Sequence, residues 1–245
     1  MKEWRNSSRS LVILSSKRIF CLSGWGQKFD SLENIFSESF FVSSFDYSRF
    51  SSVEKFYEEI AKVNLSADIF VGWSLGGQLL IRLIEKEIIR PRLLVLVAPP
   101  FQMIKDEKVQ AGMSKKTFNE FYKNFASAPS ETLRQFSILT SMNDRNAKEI
   151  ASTLDVSSDN FENLKNWLLE LERFSCFDVN FSNMPRTLFY QGLGDMIVHH
   201  SQSEYFKARM KDFRLELFEK CGHAPHLSDP AKFKKIFYEE IARLR

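Results

Sequence analysis

Gly72-Trp73-Ser74-Leu75-Gly76 sets a serine in the G-x-S-x-G pattern of a nucleophile elbow, a sharp turn between a strand and a helix. The turn forces the serine into a strained backbone conformation, and side chains at Gly72 or Gly76 would crowd it. A serine hydroxyl is a weak nucleophile until a base takes its proton, and the base needs an acid to orient it. Only four histidines can supply the base: His199, His200, His223 and His226. Around such an elbow the acid follows a late strand, and the histidine comes after it in the chain. Thr187–Gln191 reads as that late strand, and Gly192-Leu193-Gly194-Asp195 as the loop beyond it. Phe213–Phe218 alternates like the last strand, with His223 on the following loop. The expected triad is Ser74, Asp195 and His223.

The competing residues fit less well. His226 precedes Leu227-Ser228-Asp229-Pro230 and reads as a surface or helix-entry histidine. His199 and His200 open the segment after the acid loop and read as solvated; no cysteines or carboxylates cluster there at metal-ligand spacing. Asp178, the second choice of acid, precedes the late strand. An oxyanion hole needs two backbone N–H groups. Leu75, directly after the nucleophile, is one expected donor, and Trp25 in the turn Ser23-Gly24-Trp25-Gly26-Gln27 is the other.

The elements that must hold these residues alternate between strand and helix, the pattern of an α/β fold with a mostly parallel central sheet and helices on both faces. Leu11–Leu14 and Arg18–Leu22 are predicted as the first strands, paired antiparallel at the sheet edge. A short helix over Phe29–Phe36, a strand over Phe40–Phe45 and a helical stripe at Val53, Phe56, Tyr57, Ile60 and Ala61 come next. The elbow strand is Ala67–Val71, and Leu79, Leu80, Leu83, Ile84 and Ile88 recur at helical spacing behind it. Leu93–Val97 is a further strand, and the final helix begins at Pro230. Residues 101–183 exceed what one crossover requires. Phe118, Phe121, Tyr122 and Phe125, then Phe161, Leu164, Trp167, Leu168 and Leu171, give that stretch a helical rhythm. It is expected to form a helical lid inserted into a single domain spanning residues 1–245.

Three segments carry a family resemblance: Gly24-Trp25-Gly26, Gly72-Trp73-Ser74-Leu75-Gly76-Gly77, and Gly222-His223-Ala224-Pro225 with Asp229-Pro230-Ala231-Lys232-Phe233. On these the chain resembles the alpha/beta-hydrolase family, and within it the BioH-type pimeloyl-acyl-carrier-protein methyl ester esterases. Trp73, where many hydrolases carry histidine, narrows the field. Two departures stand out. Ser23-Gly24 replaces the usual His-Gly, and Asp46-Tyr47-Ser48-Arg49-Phe50 lacks the Gly and Pro of the usual Asp-x-Pro-Gly-x-Gly. The resemblance implies hydrolysis of a methyl ester on pimeloyl-acyl-carrier protein in biotin biosynthesis, with no metal or organic cofactor. An apolar channel under the lid would suit an acyl chain, with Phe121, Phe125 and Phe136 as candidate lining residues. Arg134, Arg145 and Lys148 are candidate docking residues for the acidic carrier protein. A general carboxylesterase, a C–C bond hydrolase or a menaquinone-pathway lyase would use the same triad, and a non-catalytic ligand-binding protein of this fold is a more distant alternative.

Composition agrees with an enzyme core. The 245 residues are 44% hydrophobic, enough for a full core, and a net charge of +3 is too small to indicate nucleic-acid binding. Cys21, Cys176 and Cys221 are odd in number and scattered, which predicts reduced thiols in a cytoplasmic protein. Leu11–Leu14 is too short for a secretory signal, and Leu93–Ala98 too short for a membrane span. A monomer is expected.

Overall fold

The computed structural model describes residues 17–28, 30–63, 65, 67–154 and 160–244. The predicted strand at Leu11–Leu14 lies outside the described residues. Among the described residues six strands form one sheet: β1 (Arg18–Leu22), β2 (Phe41–Ser44), β3 (Ile69–Trp73), β4 (Leu93–Val97), β5 (Arg186–Gly192) and β6 (Phe213–Phe218). Their spatial order is β2-β1-β3-β4-β5-β6, and every described pairing is parallel. Among the described residues the edge strand beside β1 is β2, with Arg18 opposite Phe41. Strands β3 and β4 are buried at every position, as their unbroken apolar runs require of strands covered on both faces.

Helices α1 (Asp30–Phe36), α2 (Val53–Ile60) and α3 (Leu75–Glu85) connect the first strands. Helices α4 (Lys115–Ser127), α5 (Pro129–Ser141), α6 (Ala147–Thr153) and α7 (Phe161–Arg173) lie between β4 and β5. Helix α8 (Ser203–Lys207) precedes β6, and the short α9 (Pro225–Ser228) and long α10 (Pro230–Ala242) end the chain. Local signals explain the boundaries. Ser52 caps α2 by accepting from the Lys55 N–H at 3.4 Å, and Ser114 caps α4 through Thr117 at 3.0 Å. Asp229 caps α10 through Lys232 at 3.0 Å, with Pro230 at the first helical position, where its missing N–H costs nothing.

Because all six strands run the same way, the loops after β1, β2, β3, β5 and β6 converge at one edge of the sheet. That carboxyl-terminal edge is where open α/β sheets bind ligands. Helices α4 to α7 cover this edge. Helix α7 is seated on the Asp46–Phe50 segment: the Asn163 amide donates to the Ser48 carbonyl at 3.0 Å, Asn166 to Ser51 at 3.1 Å and the Trp167 indole to Phe50 at 3.1 Å. The segment without the expected Gly and Pro is thus a platform for α7: Tyr47–Arg49 turns as a short 3-10 helix, and the carbonyls of Ser48 within it and of Phe50 and Ser51 just after it accept from α7. Arg82 of α3 pairs with Glu170 of α7 at 3.1 Å, its guanidinium stacked on the Phe174 ring. No helix among the described residues is long and apolar enough to cross a membrane.

Candidate active site

Ser74 stands between β3 and α3 with φ 53 and ψ −119, a backbone region a side-chain-bearing residue enters only under constraint. Two hydrogen bonds hold it there: its N–H donates to the Val97 carbonyl of β4 at 2.8 Å, and its carbonyl accepts from Gln78 at 3.1 Å. The turn also brings α3 hard against the end of β1. A methyl group on Gly76 would lie 2.2 Å from the Leu22 carbonyl oxygen, so only glycine fits.

Asp195 is held after β5 by four donors. One carboxylate oxygen accepts from the backbone N–H groups of Ile197 (2.8 Å) and Val198 (2.9 Å). The other accepts from the Gln191 amide (2.9 Å) and from His223 Nδ1 (2.7 Å). A carboxylate only accepts, so Nδ1 carries the proton of that bond, and in the neutral ring Nε2 keeps a lone pair. Nε2 is buried and has no hydrogen-bond partner. The sequence-predicted acid and base are therefore brought together, with the imidazole in the tautomer a general base needs. The Ser74 hydroxyl is not hydrogen-bonded to Nε2 in this structure. Such contacts often tighten only when substrate is bound.

Trp73, next to Ser74, ties the His223 loop to the turn: its indole N–H donates to the His223 carbonyl at 2.8 Å. The loop after β1 abuts the same turn, and a Cβ on Gly24 would sit 3.5 Å from Ser74 Cβ. Trp25 follows, its indole donating to Leu164 of α7 at 2.8 Å. Leu75 opens α3, where the first amides of a helix have no intrahelical acceptor.

An apolar cavity opens at Ser74, lined with it by Trp25, Met113, Phe121, Phe136 and Leu168. Two of the three phenylalanines expected in a channel, Phe121 and Phe136, are in its wall. Phe125 is not. It is buried behind Trp25, edge-on at 5.0 Å between centroids, and packs towards Phe161. Met113 and Ile197 also border an open cleft that reaches His199. A separate hollow lined by Glu87, Arg90, Asn183 and Pro185 lies at the amino ends of β4 and β5, the wrong side of the sheet for this chemistry.

The remaining candidates sort by position. Asp178 is exposed on a 3-10 turn, and His199 is exposed as well. His226 departs from expectation: it is fully buried, edge-on to the Trp73 indole at 4.8 Å, with both ring nitrogens unpartnered. Burial, and then the neighbouring His223, push its pKa down to about 3. The unfolded chain takes up a proton near the ordinary histidine pKa while the folded protein does not, so acidification favours unfolding. We expect stability to fall from about pH 6 to about pH 4. His226→Leu should flatten that slope in urea titrations at the two pH values, and an unchanged slope would contradict it. All three cysteines are buried and unpaired, and burial raises the Cys221 thiol to about 12. Arg134, Arg145 and Lys148 are exposed on the inserted segment. Arg134 is already paired with Glu131, and the Arg145 guanidinium donates to the Glu219 carbonyl at 3.2 Å.

The Alpha/beta hydrolase family model matches residues 2–236. The chain belongs to the alpha/beta hydrolase family. Among curated members it is similar to the pimeloyl-acyl-carrier-protein methyl ester esterase of Aromatoleum aromaticum, with 30% identity over 71% of this chain and 74% of that one. The enzyme of the same name from Neisseria meningitidis serogroup B (strain H44/76) is 26% identical over 97% of both chains. Among solved structures, an esterase from Exiguobacterium antarcticum superposes with a TM-score of 0.78 at 17% identity, covering 93% of this chain and 92% of that one. That likeness is one of fold.

Proposed function

We propose that this family member is a serine carboxylesterase that hydrolyses the methyl ester of pimeloyl-acyl-carrier protein. The observation that carries the reading is the buried Asp195–His223 pair, with Nε2 unpaired, beside a serine that opens into an apolar chamber. The names of the similar curated enzymes support the substrate.

In the reaction, His223 Nε2 takes the Ser74 proton as Oγ attacks the ester carbonyl. The carbonyl π pair moves onto oxygen, where the N–H groups of Trp25 and Leu75 would hold the charge; one such donor is typically worth about 3 kcal/mol of the barrier. The intermediate collapses, the C–O bond to methoxide breaks, and His223 returns the proton so that methanol leaves. Water then repeats the sequence on the acyl-enzyme and frees the acid and Ser74. Asp195 stabilises the imidazolium in both halves and is not itself protonated. Helices α4 to α7 act as a lid whose aromatic wall accommodates the acyl chain. The exposed Arg134, Arg145 and Lys148 supply positive charge for an acidic carrier protein.

Purified protein given the methyl ester on the carrier protein, and short p-nitrophenyl esters in parallel, tests both levels of the reading. Preference for the carrier-bound ester, with growth of an esterase-deficient biotin auxotroph restored, is the expected result. Turnover of the aryl esters alone would remove the carrier protein and keep the esterase. Turnover of neither would remove both.

A further inference from the structure

The turn from α5 into α6 does more than close the lid. Thr140 lies in the last turn of α5, where helix carbonyls lack intrahelical donors. Its carbonyl accepts the backbone N–H of His223 at 2.8 Å. Asp144, four residues on, uses both carboxylate oxygens: one accepts from its neighbour Asn146 N–H at 2.8 Å, the other from the N–H of Gly222 at 3.1 Å. The Arg145 N–H donates to the Lys220 carbonyl at 2.9 Å, and the Asn143 amide reaches the Gly194 carbonyl in the acid loop at 3.1 Å. A Cβ on Gly222 would stand 2.7 Å from the Thr140 oxygen, so the base loop lies flush against the helix end only because this residue is glycine.

We propose that Asp144 is a positioning residue for the esterase reaction, and that the end of α5 with Asp144 forms a clasp fixing the His223 imidazole. The His223 peptide is gripped from both sides, its N–H by Thr140 and its C=O by Trp73, and the Gly222 amide that leads into it is gripped by Asp144. Glycine at that position would otherwise leave the loop more conformational freedom than any other residue. The inserted helices are consequently part of the catalytic frame, not only a cover over it. Asp144 touches no substrate and acts through the loop alone. The proposal rests on the serine-esterase reading above.

The test compares Asp144→Ala, which loses both acceptors, with Asp144→Asn, whose single carbonyl oxygen can replace one of them. Each protein is titrated with a fluorophosphonate probe, which counts reactive serines and times their labelling, and kcat and KM are measured on a p-nitrophenyl ester. We expect Asp144→Ala to label about tenfold more slowly per reactive site, with kcat lowered in proportion and KM little changed; a misplacement of a catalytic group by about 1 Å can cost about a hundredfold, and a partly loosened loop costs less. Asp144→Asn should fall between it and wild type. A wild-type rate per site in Asp144→Ala overturns the proposal, including the case where only the number of reactive sites drops, since that is lost folding without misplacement. Wild-type protein that fails to label at Ser74 would instead refute the esterase reading itself.

Discussion

Ser74→Ala lowers ester hydrolysis by about 10⁴-fold or more, the range seen when the nucleophile of such a unit is removed. The hydroxyl contributes little to the fold. Ser74 is held by its own N–H and carbonyl, to Val97 and Gln78, and both bonds survive the change. Alanine still carries a Cβ, so the strained φ of 53 is no harder to adopt than before. Thermal unfolding and circular dichroism should therefore match wild type while turnover of the p-nitrophenyl ester collapses. A variant keeping more than about a tenth of wild-type kcat would remove Ser74 from the reaction.

Asp195→Asn has the second large effect, about 10⁴-fold in kcat at neutral pH, for a reason specific to this site. All four groups around the carboxylate donate: Ile197 N–H, Val198 N–H, the Gln191 amide and His223 Nδ1. An asparagine brings one oxygen and one NH2. If the oxygen stays on the two backbone amides, the NH2 faces Nδ1, the ring moves its proton to Nε2, and the base can no longer accept from Ser74. If the side chain flips, the NH2 meets two buried N–H donors, and that clash loosens the loop. Steady-state kinetics check this outcome. A loss under about tenfold would mean that Asp195 does not set the tautomer.

Much of this site could be read from the chain, and the largest part of what could not has one physical cause. Ser74, Asp195 and His223 stand at strand ends, where local spacing marks them: a five-residue elbow, a late strand and its loop, a last strand and its loop. The parallel order of the sheet then sets these strand ends along one edge without further information. What local pattern cannot carry is a side chain bonding to a backbone group far along the chain. Trp73 reads as a family marker, whereas its indole reaches the His223 carbonyl 150 positions away. Asp144 carries no local signal, yet its carboxylate accepts the Gly222 N–H. Gln191 is a shorter-range miss: it ends a strand, and nothing in the sequence marks its side-chain bond to Asp195 four residues on. His226 illustrates the opposite error. Its polarity and place before a helix argue for exposure, and packing against Trp73 buries it completely. Phe121 and Phe125 share a helical face at i, i+4 spacing. Trp25 lies against both rings, and only Phe121 also borders the cavity.

In the proposed reaction Ser74, activated through His223, bonds covalently to the acyl group. Peptide mapping by mass spectrometry after treatment with a fluorophosphonate addresses it most directly, with residual esterase activity followed in the same sample. One adduct per chain is expected, on Ser74, formed in step with the loss of activity and slowed greatly by His223→Ala. Loss of activity with the adduct on another residue, or full labelling of Ser74 with hydrolysis undiminished, would contradict it.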